Sequence, residues 1–377
     1  MKKVILMVNT SRGSGRNFLR GIEKYISINQ NWEVLVQNPD YLPDNQPNKQ
    51  SWFEISQADG IIVRDSPNTQ EILKFRIPMI VNDTKLEIIP QISTIYTNSK
   101  EIGKIASDYF INLGFKNFAY CGFDNLIWSQ KRFQSFKNNL ESKSFNKIFN
   151  FSGFNHKEAI SERLAIASWI KTLPKPVSVF ACNDDRGIQI LEACKISNIK
   201  VPEEVAVLGV DNDQLMCDLS SPPLSSINLE FEKVGFEAAK LLDEKIAGNK
   251  NNSNIVVEPQ GIHIRQSTDI IAVEDKEVAN ALVFIRNNYR KQLQVQDVVL
   301  STNLSRRTLE LRFKAALKKS ITQEINRLRI EYAKKRICNS SEPIYKIANE
   351  LKFTDVEHFA RFFKKMTSIT PKQFRGL

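Results

Sequence analysis

The sequence predicts a two-lobed α/β body followed by an all-α module with two helix-turn-helix units. Three observations predict it. Short apolar runs alternate with helical periodicities through residue 264. After Glu277 the periodicity is helical only, with Gly376 the sole glycine. The charge divides at the same place. Of the 377 residues, those from 275 onward hold 22 Lys/Arg against 10 Asp/Glu, a net +12. Residues 1–274 hold 31 and 32, so the whole excess lies in the last quarter. A basic module on a neutral body points to a polyanion partner.

The elements follow in order. Val4–Val8 reads as a buried strand: its apolar run is too short for a signal peptide, and polar residues follow at once. Phe18, Ile22, Tyr25 and Ile26 recur at helical spacing. Val34–Val36, Gly60–Val63, Met79–Val81 and Ser93–Tyr96 read as strands, and Ile102–Leu113 as a helix. Phe118–Cys121, Val177–Cys182 and Val205–Val210 continue the strands, with helices at Arg132–Leu140 and Gly187–Cys194. Leu241 to Ile264 returns through a helix and two strand-like runs. Such alternation argues for parallel sheets covered by helices on both faces. There are too many strands for one sheet, so two lobes around a cleft are expected. Ligands of such sheets sit beyond the carboxyl ends of strands. The expected boundaries are a sensor over 1–268, a linker over 269–276 and the basic module over 277–377.

Composition excludes several classes. No run of 18 apolar residues exists, so no membrane helix is expected. Five scattered cysteines form no CxxC, which argues against a disulfide framework or zinc site. The three histidines are far apart, and no nucleophile or metal constellation appears. A cytoplasmic protein without cofactor, metal or catalytic residues is expected. Gly13-Ser14-Gly15 lacks the spacing and lysine of a phosphate loop, so nucleotide binding is not read there.

In the basic module, Val295, Val298 and Val299 form a short apolar face, Asn303-Leu304-Ser305 a turn, and Leu309, Phe313 and Leu317 a longer helix. The pattern recurs about 50 residues on: Ile344, Ile347, Ala348 and Leu351, then the turn Phe353-Thr354, then Phe359, Phe362, Phe363 and Met366. Each unit has a helix-turn-helix outline. Capping-box patterns stand at Thr354–Glu357, Ser320–Gln323 and Thr370–Gln373. Ile321, Ile325, Leu328 and Tyr332 place one apolar face on a helix joining the units. Two reading helices held that way suit successive major grooves, ~34 Å apart on the duplex. The first offers Arg306, Arg307, Glu310, Arg312 and Lys314; the second offers Glu357, His358, Arg361, Lys364 and Lys365. Arginine pairs bidentately with guanine and Glu accepts from cytosine, while the terminal lysines suit phosphates.

The run Ile344–Phe353, then Phe359–Lys365, then Thr370–Arg375 resembles the AraC/XylS-type DNA-binding domain. The resemblance places base-reading positions at Arg306, Arg307 and Glu310, and at Val356, Glu357 and Arg361. One departure is Lys352, where the family usually has the glycine that relieves backbone strain. In the body, Phe180–Asp185, Val201–Asp211 and Ser221–Ser226 resemble the LacI/periplasmic-sugar-binding fold. With the first strand read from residue 4, no LacI-type amino-terminal headpiece is expected. A sensor of this type before a double helix-turn-helix is similar to regulators of xylose operons, as are Trp128–Arg132 and Arg265–Asp269. The resemblance implies a homodimeric activator, with a duplex DNA operator and xylose or another monosaccharide as partners.

A sugar needs hydrogen-bonding groups after strands and an aromatic face against its C–H surface. Asp211, Asn183, Asp184 and Asn98 follow strands directly, and Arg132 lies on a helix with Trp128 one turn earlier. The resemblance carries ligand contacts onto Asp211, Arg132, Asn98, Asn183 and Asp184, with Trp128 from the xylose-type run. Arg64 and Asp65 follow a further strand. Each candidate has a structural alternative: Asp211 as a helix cap, Arg132 as an ion-pair partner, Trp128 as core. The competing function is a carbohydrate-active enzyme with a helical interaction tail.

Overall fold

Burial on both faces turns the apolar runs of the body into strands. The structure, a computed structural model, describes residues 1–37, 55–64, 69–82, 92–153, 159–249, 252–270, 273, 275–339 and 342–375. Two compact units divide it, Met1–Ile270 and Ile271–Leu377. Among the described residues no helix is long and apolar enough to cross a membrane.

Among the described residues the first unit holds two six-stranded sheets. One contains β1 (Lys2–Met7), β2 (Trp32–Gln37), β3 (Gly60–Arg64), β4 (Met79–Asn82), β5 (Ser93–Thr97) and β11 (Ile255–Val257), in the order β11-β5-β4-β3-β1-β2 and parallel throughout. The other contains β6 (Phe118–Gly122), β7 (Ile148–Ser152), β8 (Val177–Ala181), β9 (Val205–Asp211), β10 (Ser225–Leu229) and β12 (Pro259–His263). Its order is β12-β10-β9-β8-β6-β7, with only β12 antiparallel. Helices α1 (Gly13–Asn29), α2 (Thr69–Leu73), α3 (Ser99–Asn112), α4 (Ile127–Ser142), α5 (Ala159–Thr172), α6 (Asp184–Ile196), α7 (Gln214–Leu219) and α8 (Phe231–Ile246) connect the strands. Every residue of β6 and β8 is buried, the signature of central parallel strands. The chain passes from the first sheet to the second after β5, returns after β10 and crosses again after β11. Three crossings leave two lobes joined by a narrow waist.

The second unit is helical: α9 (Lys276–Asn288), α10 (Val295–Leu300), α11 (Arg306–Leu317), α12 (Ile321–Asn339), α13 (Ile344–Glu350), α14 (Val356–Thr367) and α15 (Pro371–Arg375). It has two small cores. Leu309, Phe313 and Leu317 pack with α9 and α10 in one; Ile347, Phe359 and Phe363 pack together in the other. The joining helix α12 differs from the single apolar face expected of it. Ile321, Ile325 and Leu328 enter the first core, and Ile330, Ala333 and Ile337 enter the second. A helix that serves two cores presents its apolar side in two successive directions.

Two capping boxes form as the spacing predicts. Ser320 and Gln323 exchange bonds of 2.8 and 3.1 Å, and Thr370 and Gln373 bonds of 2.9 and 3.3 Å. The third shifts by one residue: Asp355, not Thr354, caps α14 and accepts the His358 N–H at 2.6 Å. Asp outranks Thr as a cap, and that bond holds the Asp355 carboxyl below its ordinary range. Lys352, in the turn before it, has φ +55°. A side chain in the left-handed region costs ~1–2 kcal/mol, partly offset by the greater chain entropy of glycine. Lys352→Gly is expected to stabilise the unit by about 0.5–1 kcal/mol. A denaturation midpoint below that of the parent chain would contradict this.

Candidate effector cavity and nucleic-acid interface

A cavity of about 310 Å³ opens at the carboxyl ends of both sheets, where open α/β sheets bind ligands. Val8 and Asn9 follow β1; Arg64, Asn82 and Thr97 end β3, β4 and β5. From the other lobe Phe123 follows β6, Asn183 follows β8 and Asp211 ends β9. Trp128 and Arg132 enter from α4.

The start of α4 is fixed from beneath. The Tyr120 hydroxyl donates to the Ser129 carbonyl at 2.6 Å, and Ser129 Oγ accepts the Phe123 N–H at 2.9 Å. Gly103 of α3 lets the two helices touch: a Cβ there would stand 2.7 Å from the Arg132 carbonyl oxygen. The Arg132 side chain is buried, with 3% of the residue exposed. It donates to the Cys182 carbonyl oxygen, and to Thr97 Oγ1 at 3.3 Å, and its guanidinium lies 4.8 Å from the Trp128 ring centre. Its Nε is buried and has no hydrogen-bond partner among the described residues. A guanidinium carries five N–H donors and two are engaged here, by the Cys182 carbonyl and Thr97, so the edge of Arg132 that lines the cavity retains donors for a ligand oxygen.

Asn183 lines the cavity and also caps α6, accepting the Arg186 N–H at 3.0 Å. Asp211 lines it with φ +105°, a conformation that L side chains rarely adopt and that concentrates at functional sites. Asp211 is not the cap of the next helix; Asp213 holds that position. Two expected contacts do not line the cavity. Asn98 stands at the first crossing between lobes, where Oδ1 caps α3 through the Glu101 N–H (3.0 Å) and Nδ2 donates to Glu258 (2.9 Å). Asp184 turns inward: Oδ2 accepts the Asp213 N–H at 2.8 Å and Oδ1 meets the Ser226 hydroxyl at 2.6 Å. Arg64 lines the cavity; Asp65 lies outside the described residues.

Burial, and then the charge of Asp211, push the Asp184 carboxyl from an ordinary 3.8 up to about 8. The folded value lies above the unfolded one. The stability from this group is therefore complete below about pH 4 and lost as pH rises through about 8. Asp184→Asn, which cannot ionise, is expected to lack this slope. Thermal unfolding of both proteins from pH 5 to 8 checks it; a stability difference independent of pH would refute the assignment.

The loop before α1 and the first turn of α1 line the cavity from the first lobe, through Arg12, Ser14 and Gly15. Asp213 occupies the N-cap position of its own helix α7 but makes no side-chain bond there. Its carboxylate instead reaches across the cleft to α1, accepting the buried Gly13 N–H at 2.6 Å and pairing with Arg16 at 3.3 Å. A Cβ at Gly13 would stand 2.7 Å from Asp213 Cγ, so only glycine admits this approach. Arg12 pairs with Asp185 at 2.7 Å beside it. Sequence reasoning passed over this loop because it lacks phosphate-loop spacing. The signal that would have found it was its place directly after a strand's carboxyl end.

In the second unit, Ser305 caps α11 through the Thr308 N–H at 3.3 Å, as Asp355 caps α14. Arg306, Arg307 and Glu310 are exposed on α11, with Arg306 and Glu310 paired at 3.0 Å. Val356, Glu357, Arg361, Lys364 and Lys365 are exposed on α14.

Residues 107–268 match the periplasmic binding protein-like domain family, and residues 300–376 a helix-turn-helix domain family. The chain is 30% identical to the xylose operon regulatory protein of Haemophilus influenzae, over 99% of this chain and 98% of that protein. It is 26% identical to the xylose operon regulatory protein of Escherichia coli K12, over 100% and 97%. A solved structure titled "structure of xylose-binding transcription activator xylR" shares the fold, with a TM-score of 0.80 at 24% identity, covering 100% of this chain and 98% of that one. These comparisons give no support to the enzyme alternative. A periplasmic binding protein-like domain ahead of a helix-turn-helix domain, and a relative 30% identical over nearly the full length of both chains, establish that the chain belongs to the xylose operon regulatory proteins, sugar-responsive DNA-binding regulators of transcription.

Proposed function

We propose that the cavity takes xylose or another monosaccharide, and that its occupancy biases how a cytoplasmic homodimer engages tandem operator half-sites as an activator. The observation that carries this is the convergence of Arg132, Asn183, Asp211 and the Trp128 face on one cavity at strand carboxyl ends. In this reading those four touch the sugar. Asn98 and Asp184 act one layer behind, at the lobe crossing and under Asp213. Arg306, Arg307, Glu310, Val356, Glu357 and Arg361 meet base edges, and Lys364 and Lys365 meet phosphates. A sugar shifts the protein toward operator-bound geometry only by binding that arrangement more tightly.

The test is binding of the full chain to the DNA upstream of its neighbouring genes, with and without a panel of pentoses and hexoses. Saturable binding that weakens steeply with salt is expected, together with one sugar that changes its affinity. No saturable DNA binding at any salt would overturn the regulator reading. DNA binding indifferent to every sugar would overturn the effector reading alone.

A further inference from the structure

The two helix-turn-helix units are internal copies at a spacing of fifty residues, and the register between them is set by structure. Ser305 and Asp355 are both N-caps whose side chains accept the N–H three residues on. Both reading helices run twelve residues, Arg306–Leu317 and Val356–Thr367. Leu309 pairs with Phe359 and Phe313 with Phe363 as the buried anchors, and both helices end on a left-handed residue, Lys318 and Ser368. This register places Leu311 where the second unit has Arg361.

Leu311 is 63% exposed. On α11 the buried anchors define one side, and at 100° per residue Leu311 points away from them, in a row with Arg307, Lys314 and Lys318. All four are exposed, as is Ala315 one turn beyond Leu311. A lone surface leucine needs no explanation. Here, however, an apolar patch sits mid-row between cations, on the face that the second unit fills with Glu357, Arg361, Lys364 and Lys365. That row suits a polyanion along its flanks and an apolar group at its centre. The major groove offers one such group, the C5-methyl of thymine.

We propose that Leu311 reads thymine: its methyl groups, flanked by Arg307 and Lys314, pack on a thymine C5-methyl in the major groove where the second unit presents Arg361. The units then differ at this position. There the second takes hydrogen-bond acceptors such as guanine O6 and N7, and the first takes a methyl group. An operator read this way is asymmetric, which fixes the direction in which the chain lies on it. The inference rests on the proposed use of α11 as a base-reading helix.

The experiment selects a duplex from a randomised pool with the full chain. Each thymine is then replaced by deoxyuridine, which differs only by the missing methyl, and affinity is measured for the parent and for Leu311→Ala. Because Leu311 is exposed, the variant keeps its core. At one or two thymines the parent is expected to lose about fourfold in affinity (~0.8 kcal/mol, the value of one buried methyl-sized group). Leu311→Ala should bind the thymine duplex several-fold more weakly and show no further loss at those same positions. A parent chain indifferent to every replacement, or a variant that keeps the parent's full sensitivity, would overturn the assignment while leaving DNA binding intact. Failure to enrich any duplex over nonspecific binding would overturn the DNA reading and this inference with it.

Discussion

Arg132→Ala is expected to weaken effector binding by about 10- to 100-fold, read by calorimetric titration with the sugar that the panel identifies. Hydrogen bonds to a charged group contribute ~1.5–3 kcal/mol each, and one such bond to a sugar oxygen corresponds to that range. The side chain is well placed to make one. It is buried, pinned to Cys182 and Thr97, and backed by Trp128, so little side-chain freedom remains to be lost on binding. The same pins make Arg132 structural, because Thr97 belongs to one sheet and Cys182 follows a strand of the other. The unfolding midpoint of the Ala variant should therefore fall as well. Arg132→Lys separates the two roles: it keeps a cation but loses the planar fork. It is expected to recover more stability than affinity. An Ala variant that is less stable yet binds sugar as tightly as the parent would leave Arg132 with the structural role alone.

Much of this arrangement is legible in the sequence, and the remainder fails for identifiable reasons. Strands such as Phe118–Gly122 and Val177–Ala181 are readable because central parallel strands are apolar on both faces. Asn183 and Asp211 are readable because a strand's carboxyl end is a local property. Asp213 is not. Its value lies in Gly13, two hundred residues away, and no local pattern announces a carboxylate that caps a helix of the other lobe. The cap at Gln294, which exchanges bonds with Asp297, was missed because Gln is not a preferred cap residue. The two-faced helix Ile321–Asn339 misleads because a single-face template averages over two cores. Leu311 is harder to read because its exposure on the helix face opposite the Leu309 and Phe313 anchors is a property of the folded unit, and apart from Val356 the residue types that announce base contacts are donors and acceptors.

The cross-cleft contact yields the second large effect. Asp213→Ala is expected to weaken effector binding by about tenfold or more, and Asp185→Ala by less than about fivefold. The difference follows from burial. Arg12 and Asp185 are 49% and 43% exposed, and exposed pairs contribute at most ~1 kcal/mol. The Asp213 side chain is 11% exposed; its loss leaves the buried Gly13 N–H unpaired and removes the Arg16 pair, together ~2 kcal/mol. That energy acts only while the lobes touch, so it sets the fraction of molecules already closed, and apparent affinity falls in proportion to that fraction. Asp213→Asn retains an acceptor for Gly13 without the charge and should fall between the two. Amide exchange at the first turn of α1 gives an independent reading, because its protection depends on the same contact. If Asp213→Ala loses that protection and sugar affinity does not move, the contact shapes the free protein without contributing to closure on the ligand.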